Sequence, residues 1–347
     1  MKYAAGIIAA VLAIFIGWSV FSSKSNDTSI NTPEQNTSNT VSAVASFYPL
    51  AFALEQIGGE AIEVINIGGN QDPHDFRPSA RDIQTMFDAD LVAINGAGLE
   101  PWGEDIESQL ENTQTSLFVA SEVVDLRESE DEHDEHGEEE HGEDDHDAEH
   151  HDEDHEGEHH EDDKHEDGED HEHNHGAFDP HVWLDPVLFA EIAEALRDEL
   201  VTLDPSNKSL YTQNTDTLLE KLEVLDSQYE QQLARCELDE VITSHDAFGY
   251  VGDRYGFEIH AIAGISTQST PSARALAELR EEAEEGIGAI LLENNSIAAF
   301  GETLARETGL KTLSIDPAVS ASGGDDYIGI MNANLAAFAE ALQCTNG

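Results

Sequence analysis

Residues 204–250 read DPSNKSLYTQNTDTLLEKLEVLDSQYEQQLARCELDEVITSHDAFGY, and this stretch decides the architecture. Asp204 followed by Pro205 is a helix start, because proline is tolerated at the first helical position, where its missing N–H would have no partner. A polar run then continues to about 235 with Leu218, Leu219, Leu222 and Leu225 on one side, which predicts one long helix. EVITS (240–244) follows as a β-branched strand that runs into His245. A long helix that feeds a strand in this way reads as a joint between two strand–helix sets.

Both flanks carry such a set. Before the joint, VSAVAS (41–46), IEVIN (62–66), DLVAIN (90–95) and TSLFVA (115–120) read as strands, with helices near 48–57, 79–88, 101–111 and 187–202. After it, FEIHAI (257–262), GAILLE (288–293) and KTLSI (311–315) join EVITS, with helices near 247–254, 272–285, 297–308 and 327–342. Strand–helix alternation implies parallel sheets covered on both faces. The predicted class is α/β: two lobes, each a mostly parallel sheet flanked by helices, joined by one long helix with a cleft between the lobes. The expected boundaries are an N-terminal lobe at 41–203, a linking helix at 204–235 and a C-terminal lobe at 236–347.

Charge narrows the partners. The 347 residues hold 74 Asp+Glu against 15 Lys+Arg, a formal net charge of −59. No basic surface exists to neutralise phosphates, so nucleic-acid binding is excluded, as is docking on anionic lipid through a polybasic patch. Cations and basic proteins remain. The charge is concentrated: residues 128–175 contain 27 of the acidic residues and 13 of the 17 histidines. With Ala148 as its one apolar side chain, this tract predicts a disordered His/Asp/Glu-rich loop. Its imidazoles suit loose, multiple capture of zinc by transient sets of two or three: His133, His136, His141, His146, His150, His151, His155, His159, His160, His165, His171, His173 and His175.

The N-terminus predicts an extracytoplasmic address. Lys2 precedes an uncharged apolar run from Ala4 to Phe21, which reads either as a signal peptide or as an uncleaved N-terminal anchor over 1–21. No cysteine stands near residue 20, which excludes lipidation there. The Ser/Thr/Asn-rich segment 22–40 reads as a flexible tether. Membrane association is expected through the N-terminal segment alone. Cys236 and Cys344 are the only cysteines, either a disulfide formed in an oxidising compartment, the preferred reading, or two buried thiols.

Four histidines lie outside the tract. His74 stands in DPHDFRPSARD (72–82), His181 in FDPHVWLDP (178–186), and His245 in SHDAFGY (244–250); Asp316 follows KTLSI in SIDPA (314–318). Ligands of open parallel sheets bind beyond the carboxyl ends of strands, where His245 and Asp316 fall and which His74 follows by a loop. Three imidazoles and a carboxylate suit a borderline cation such as zinc in tetrahedral geometry. The competing reading of each histidine taken alone is a surface residue or a hydrogen-bonded core residue.

These motifs, PHDF with RPS, DPHVWLDP, SHDAFGY and the Asp-Pro of SIDPA, occur in an order that resembles the metal-binding solute receptors of zinc and manganese ABC importers, the zinc-uptake or cluster A-I type. GISTQSTPSARALAEL (264–279) resembles the family's segment after its third ligand. The resemblance covers about 41–345 apart from the tract. It implies two lobes on a rigid linking helix, and metal ligation by His74, His181, His245 and Asp316. Manganese-type relatives carry Glu at the position of His245, so histidine there implies Zn2+ over Mn2+. Some zinc-type relatives have an acidic residue beside the first histidine; Pro73 stands there in this chain, which puts weight on Asp316. His260 matches no ligand motif and reads as structural.

The implied function is a monomeric, non-enzymatic receptor that captures Zn2+ between its lobes and delivers it to an ABC permease. Ligand histidines must be neutral, so binding is expected to weaken as pH falls through about 6. Two rivals remain: a surface zinc buffer or adhesin without a transport role, and a zinc hydrolase. The hydrolase lacks an HExxH motif, and a fourth protein ligand would close its water position.

Overall fold

The computed structural model describes residues 40–129, 178–266, 271–321 and 324–345. The N-terminal segment, the tether up to residue 39 and all thirteen tract histidines lie outside the described residues. Among those described, no helix is long and apolar enough to cross a membrane.

The first lobe opens with β1 (Val41–Ala45), α1 (Tyr48–Gly58), β2 (Ile62–Asn66), α2 (Ala80–Asp88), β3 (Leu91–Ile94), α3 (Gly103–Leu110) and β4 (Ser116–Val119). After the tract come α4 (Pro186–Leu203) and the long α5 (Lys208–Leu233). The second lobe follows with β5 (Glu240–His245), α6 (Gly249–Tyr255), β6 (Glu258–Ala263), α7 (Ala273–Glu285), β7 (Ala289–Leu292), α8 (Ala298–Thr308), β8 (Lys311–Ser314) and α9 (Tyr327–Ala341). The sheets run β2-β1-β3-β4 and β6-β5-β7-β8, parallel throughout. Both therefore have the same topology. In each, the direction of winding reverses beside the first strand, which opens a crevice at the carboxyl ends of β1 and β3 and of β5 and β7.

Period-2 alternation divides each sheet between two cores. Ala43, Ala45, Leu91 and Ala93 of the first sheet, with Val241, Ala289 and Leu291 of the second, face one hydrophobic cluster that runs through both lobes. Val44, Val92 and Ile94 face a smaller outer cluster with Met86 and Ile106; Ile242, Ile262 and Ile290 face another with Leu279 and Ala283. Helix α5 packs on α1 and α4 of the first lobe and on α9 of the second. Its buried stripe is Tyr211, Thr215, Leu218, Leu222, Leu225, Tyr229 and Leu233, an i+3/i+4 row. Asn214 donates to the Ile57 carbonyl of α1 at 2.9 Å, and Tyr229 donates to the Met331 carbonyl of α9 at 2.7 Å.

The α-helix begins at Lys208 rather than at Pro205, because Pro205–Asn207 wind as a 3-10 turn. Asp204 causes this: its Oδ1 accepts from the Ser206 amide, and its Oδ2 accepts from the Asn207 side chain and the Tyr211 hydroxyl. At the other end, Cys236 and Cys344 form a disulfide. It fastens the exit of α5 to the segment after α9.

Candidate metal centre

Three of the four predicted residues converge. One ring nitrogen from each of His74, His181 and His245 lies within 4.8 Å of the others. His74 and His181 meet through their Nε2 atoms at 3.4 Å. A tetrahedral cation with nitrogen ligands at 2.0–2.1 Å has ligand–ligand edges of about 3.3–3.4 Å, so this separation fits a zinc-sized ion. Asp316 lines the same cavity, of about 330 Å³, without joining the 4.8 Å cluster.

Each histidine is delivered by a different local device. His74 follows β2 by a loop, and its amide donates to Asp72 Oδ1 at 3.0 Å. His181 precedes α4; its amide donates to Asp179 Oδ1 at 2.9 Å, and its Nδ1 meets the same oxygen at 2.8 Å. Asn95, which follows β3, donates to the Pro180 carbonyl and ties this loop to the crevice of the first sheet. His245 is the last residue of β5, and its Nδ1 meets Glu293 Oε1 at 2.5 Å. Glu293 follows β7, so the pair spans the crevice of the second sheet. With Nδ1 facing a carboxylate, each of these two rings turns Nε2 toward its neighbours, and that is where the neutral ring carries its lone pair.

Electrostatics divides the three. Burial first, and then the His181 ring, lower His74 to about 3. Burial, followed by the charge of His245, holds His181 well below 6.5. The Asp179–His181 contact is therefore a hydrogen bond of a neutral imidazole, not an ion pair. His245 behaves oppositely: burial opposes its proton, but the charge and hydrogen bond of Glu293, then Asp72 and Asp246, outweigh burial and raise it. Burial pushes Asp179 up to about 7, opposed by the His181 amide and by Arg127.

Contacts across the cleft fix the His181 loop from the second lobe. Trp183 Nε1 donates to the Pro317 carbonyl at 2.7 Å, and Tyr327 OH donates to the Trp183 carbonyl. Tyr250 OH donates to the Asp179 carbonyl at 2.7 Å and accepts from the Arg127 amide at 2.9 Å. Asp316 is held by Asn334, which accepts from its amide and donates to its carbonyl.

Sequence reasoning missed the supporting carboxylates, Asp72, Asp179 and Glu293. A signal existed for the first two, since the tripeptide Asp-Pro-His occurs at both 72–74 and 179–181. Glu293 had only its position, an acidic residue at the end of the buried run GAILLE. His260 lies away from the cluster, on β6.

A family model described as zinc-uptake complex component A, periplasmic, matches residues 43–341. The high-affinity zinc uptake system protein ZnuA of Bacillus subtilis (strain 168) is 34% identical over 307 residues, covering 86% of each chain. The zinc-binding lipoprotein AdcA of Streptococcus pneumoniae serotype 4 is 31% identical over 305 residues, 85% of this chain but 54% of the relative. This chain thus spans about half the length of that relative. Among solved structures, the laminin-binding protein Lmb of Streptococcus agalactiae, described as bifunctional with adhesin and metal-transporting activity, is similar with a TM-score of 0.70 at 27% identity, covering 87% of this chain and 99% of that one. The Zn(II)-bound ZnuA-like domain of Streptococcus pneumoniae AdcA is similar with a TM-score of 0.66 at 27% identity, over 87% and 99%.

Proposed function

The chain belongs to the zinc-uptake complex component A family, and on that premise we propose that it is an extracytoplasmic receptor that captures Zn2+ between its lobes and delivers it to an ABC-type membrane permease. The observation that carries this reading is the convergence of three imidazoles within 4.8 Å, two with a carboxylate on Nδ1. His74 and His181 enter from the first lobe and His245 from the second. Asp316, which lines the cavity from beyond β8, is the fourth ligand. Three nitrogen donors favour zinc over harder cations such as manganese. Four protein ligands leave no position for a catalytic water, so the receptor performs no covalent chemistry.

The remaining expectations belong to the same reading. The Cys236–Cys344 disulfide supports an oxidising, extracytoplasmic compartment. The N-terminal segment 1–21 supplies any membrane association, the receptor works as a monomer, and the tract histidines hold further zinc weakly. An adhesin role is compatible with metal transport, since the description of the laminin-binding relative combines the two.

Zinc titration of the full chain, and of a form with 130–177 replaced by a short linker, tests this. Glu128 and Phe178 form a β-bridge at the base of that segment, so its ends already meet. One tight site should survive the deletion and several weak ones should disappear. His181→Ala should weaken the tight site by orders of magnitude. Loss of all binding on deletion would refute the three-histidine site.

A further inference from the structure

We infer that Glu240, Glu258 and His260 form a second divalent-cation site on the outer face of the second lobe. Glu240 opens β5 and Glu258 opens β6, and the register sets these two side by side, with Ile242 opposite His260. Side chains alternate along a strand, so Glu240, Ile242, Glu258, His260 and Ile262 share one face. This is the face covered by α7, as Ile242 and Ile262 pack there with Leu279 and Ala283. His245 stands at the opposite end of β5, five residues along, roughly 16 Å away at the usual strand rise. The two candidate centres are therefore separate.

The donor atoms are arranged as ligands. His260 Nε2 lies 3.4 Å from Glu240 Oε2 and 3.9 Å from Glu258 Oε1. One donor atom from each of the three falls within 4.8 Å of the others. A cation with N and O ligands at 2.0–2.2 Å has edges of about 3.3–3.6 Å, so small side-chain movements would complete the set. On the far side of the ring, Glu282 Oε2 of α7 lies 3.1 Å from Nδ1. Glu282 therefore occupies the Nδ1 side of the ring, near it but without a hydrogen bond, and leaves Nε2 on the side of Glu240 and Glu258.

Two features disfavour the cluster as a set of groups satisfied by protein alone. Glutamates held side by side on neighbouring strands repel. Among the described residues, His260 Nε2 and Glu282 Oε2 are buried polar atoms that make no hydrogen bond. A cation on Nε2 would satisfy the first and offset the charge of the glutamates. One imidazole and two carboxylates suit zinc with solvent completing the shell. The Glu240 and Glu258 side chains are 42% and 70% exposed, so the site exchanges with solvent and binds more weakly than the three-histidine centre.

Diffraction at the zinc absorption edge tests this on crystals of the full chain equilibrated with buffered Zn2+ alone. An anomalous peak is expected between His260 Nε2, Glu240 and Glu258. Its occupancy at low free zinc should fall at least tenfold in Glu258→Gln, with the three-histidine centre still loaded. His181→Ala should do the reverse, emptying the three-histidine centre and keeping this peak. Glu240→Gln is the second variant should Glu258→Gln fail to fold. Absence of a peak at His260, or equal occupancy in wild type and both glutamine variants, would overturn the site.

Discussion

Five Asp-Pro pairs, beginning at Asp72, Asp179, Asp185, Asp204 and Asp316, make the same small turn. In each, Asp Oδ1 accepts the amide two residues on, at 2.8–3.1 Å. Proline presets the turn and aspartate closes it. Two of these turns present His74 and His181, two open helices, and one holds Asp316 at the cavity. Beyond the proposed ligands, Glu293 sets the charge at His245. Glu293→Gln keeps a hydrogen-bond acceptor but removes the charge that raises His245, and it should weaken zinc binding about 10–100-fold. In the wild type, His74 is neutral above about 3 and His181 is neutral as well, so neither competes with zinc through a proton. His245, raised above 6.5, and Asp179, at about 7, are the groups that release protons on binding. Zinc affinity should therefore fall as pH drops below about 7, with one to two protons released per ion rather than three. Proton release measured calorimetrically in buffers of different ionisation enthalpy checks this count.

Among the elements, α4 and α5 carry the assembly. Helix α4 starts on Asp185, whose Oδ1 caps the Val187 and Leu188 amides and whose Oδ2 accepts from Arg254 Nε of α6. One side chain thus starts a helix in the first lobe and holds a helix of the second. Asp185→Ala should cost about 2 kcal/mol: the cap accounts for most of this, and the half-exposed Arg254 regains water. Chemical denaturation should show a lower midpoint with an unchanged slope. The long helix was legible in sequence because its leucines repeat at helical spacing and Asp-Pro marks its start. What the leucines alone did not convey was the breadth of its buried row, which Tyr211, Thr215 and Tyr229 extend toward both lobes. Tyrosine and threonine are read as surface residues until a partner is known; here Tyr229 finds the Met331 carbonyl and Thr215 the Tyr211 carbonyl.

At the scale of the whole molecule, the lobes share one hydrophobic cluster, and the disulfide closes the second lobe on the linking helix. Cys236 and Cys344 are 108 residues apart. Loop-closure entropy values such a bridge at about 4–5 kcal/mol. The Cys236→Ser/Cys344→Ser double variant should lose stability of that order in denaturant titrations, while zinc affinity at 25 °C stays within a few-fold of wild type, because neither cysteine lines the metal cavity.

The sequence by itself determined the class of fold, the elements and the three histidines. Buried parallel strands are apolar runs, helices repeat at 3.6, and sites in open parallel sheets lie beyond the carboxyl ends of strands. These are local requirements, written in neighbouring residues. The net charge of −59 narrowed the partner to cations or basic proteins, and the few histidines outside the acidic tract pointed to a metal ion. Only the tertiary structure decided which carboxylate supports His245. Glu293 reaches His245 from beyond the end of a different strand, and the Asp179 backbone carbonyl accepts from the Tyr250 hydroxyl of the other lobe. Only it decided that Asp316 shares the cavity but stands outside the cluster of imidazoles, and that His260, unremarkable inside FEIHAI, meets Glu240, Glu258 and Glu282. The reason is the same in each case. Such pairings join residues far apart in the chain, and strand register and lobe packing, neither of which any short window of sequence contains, bring them together.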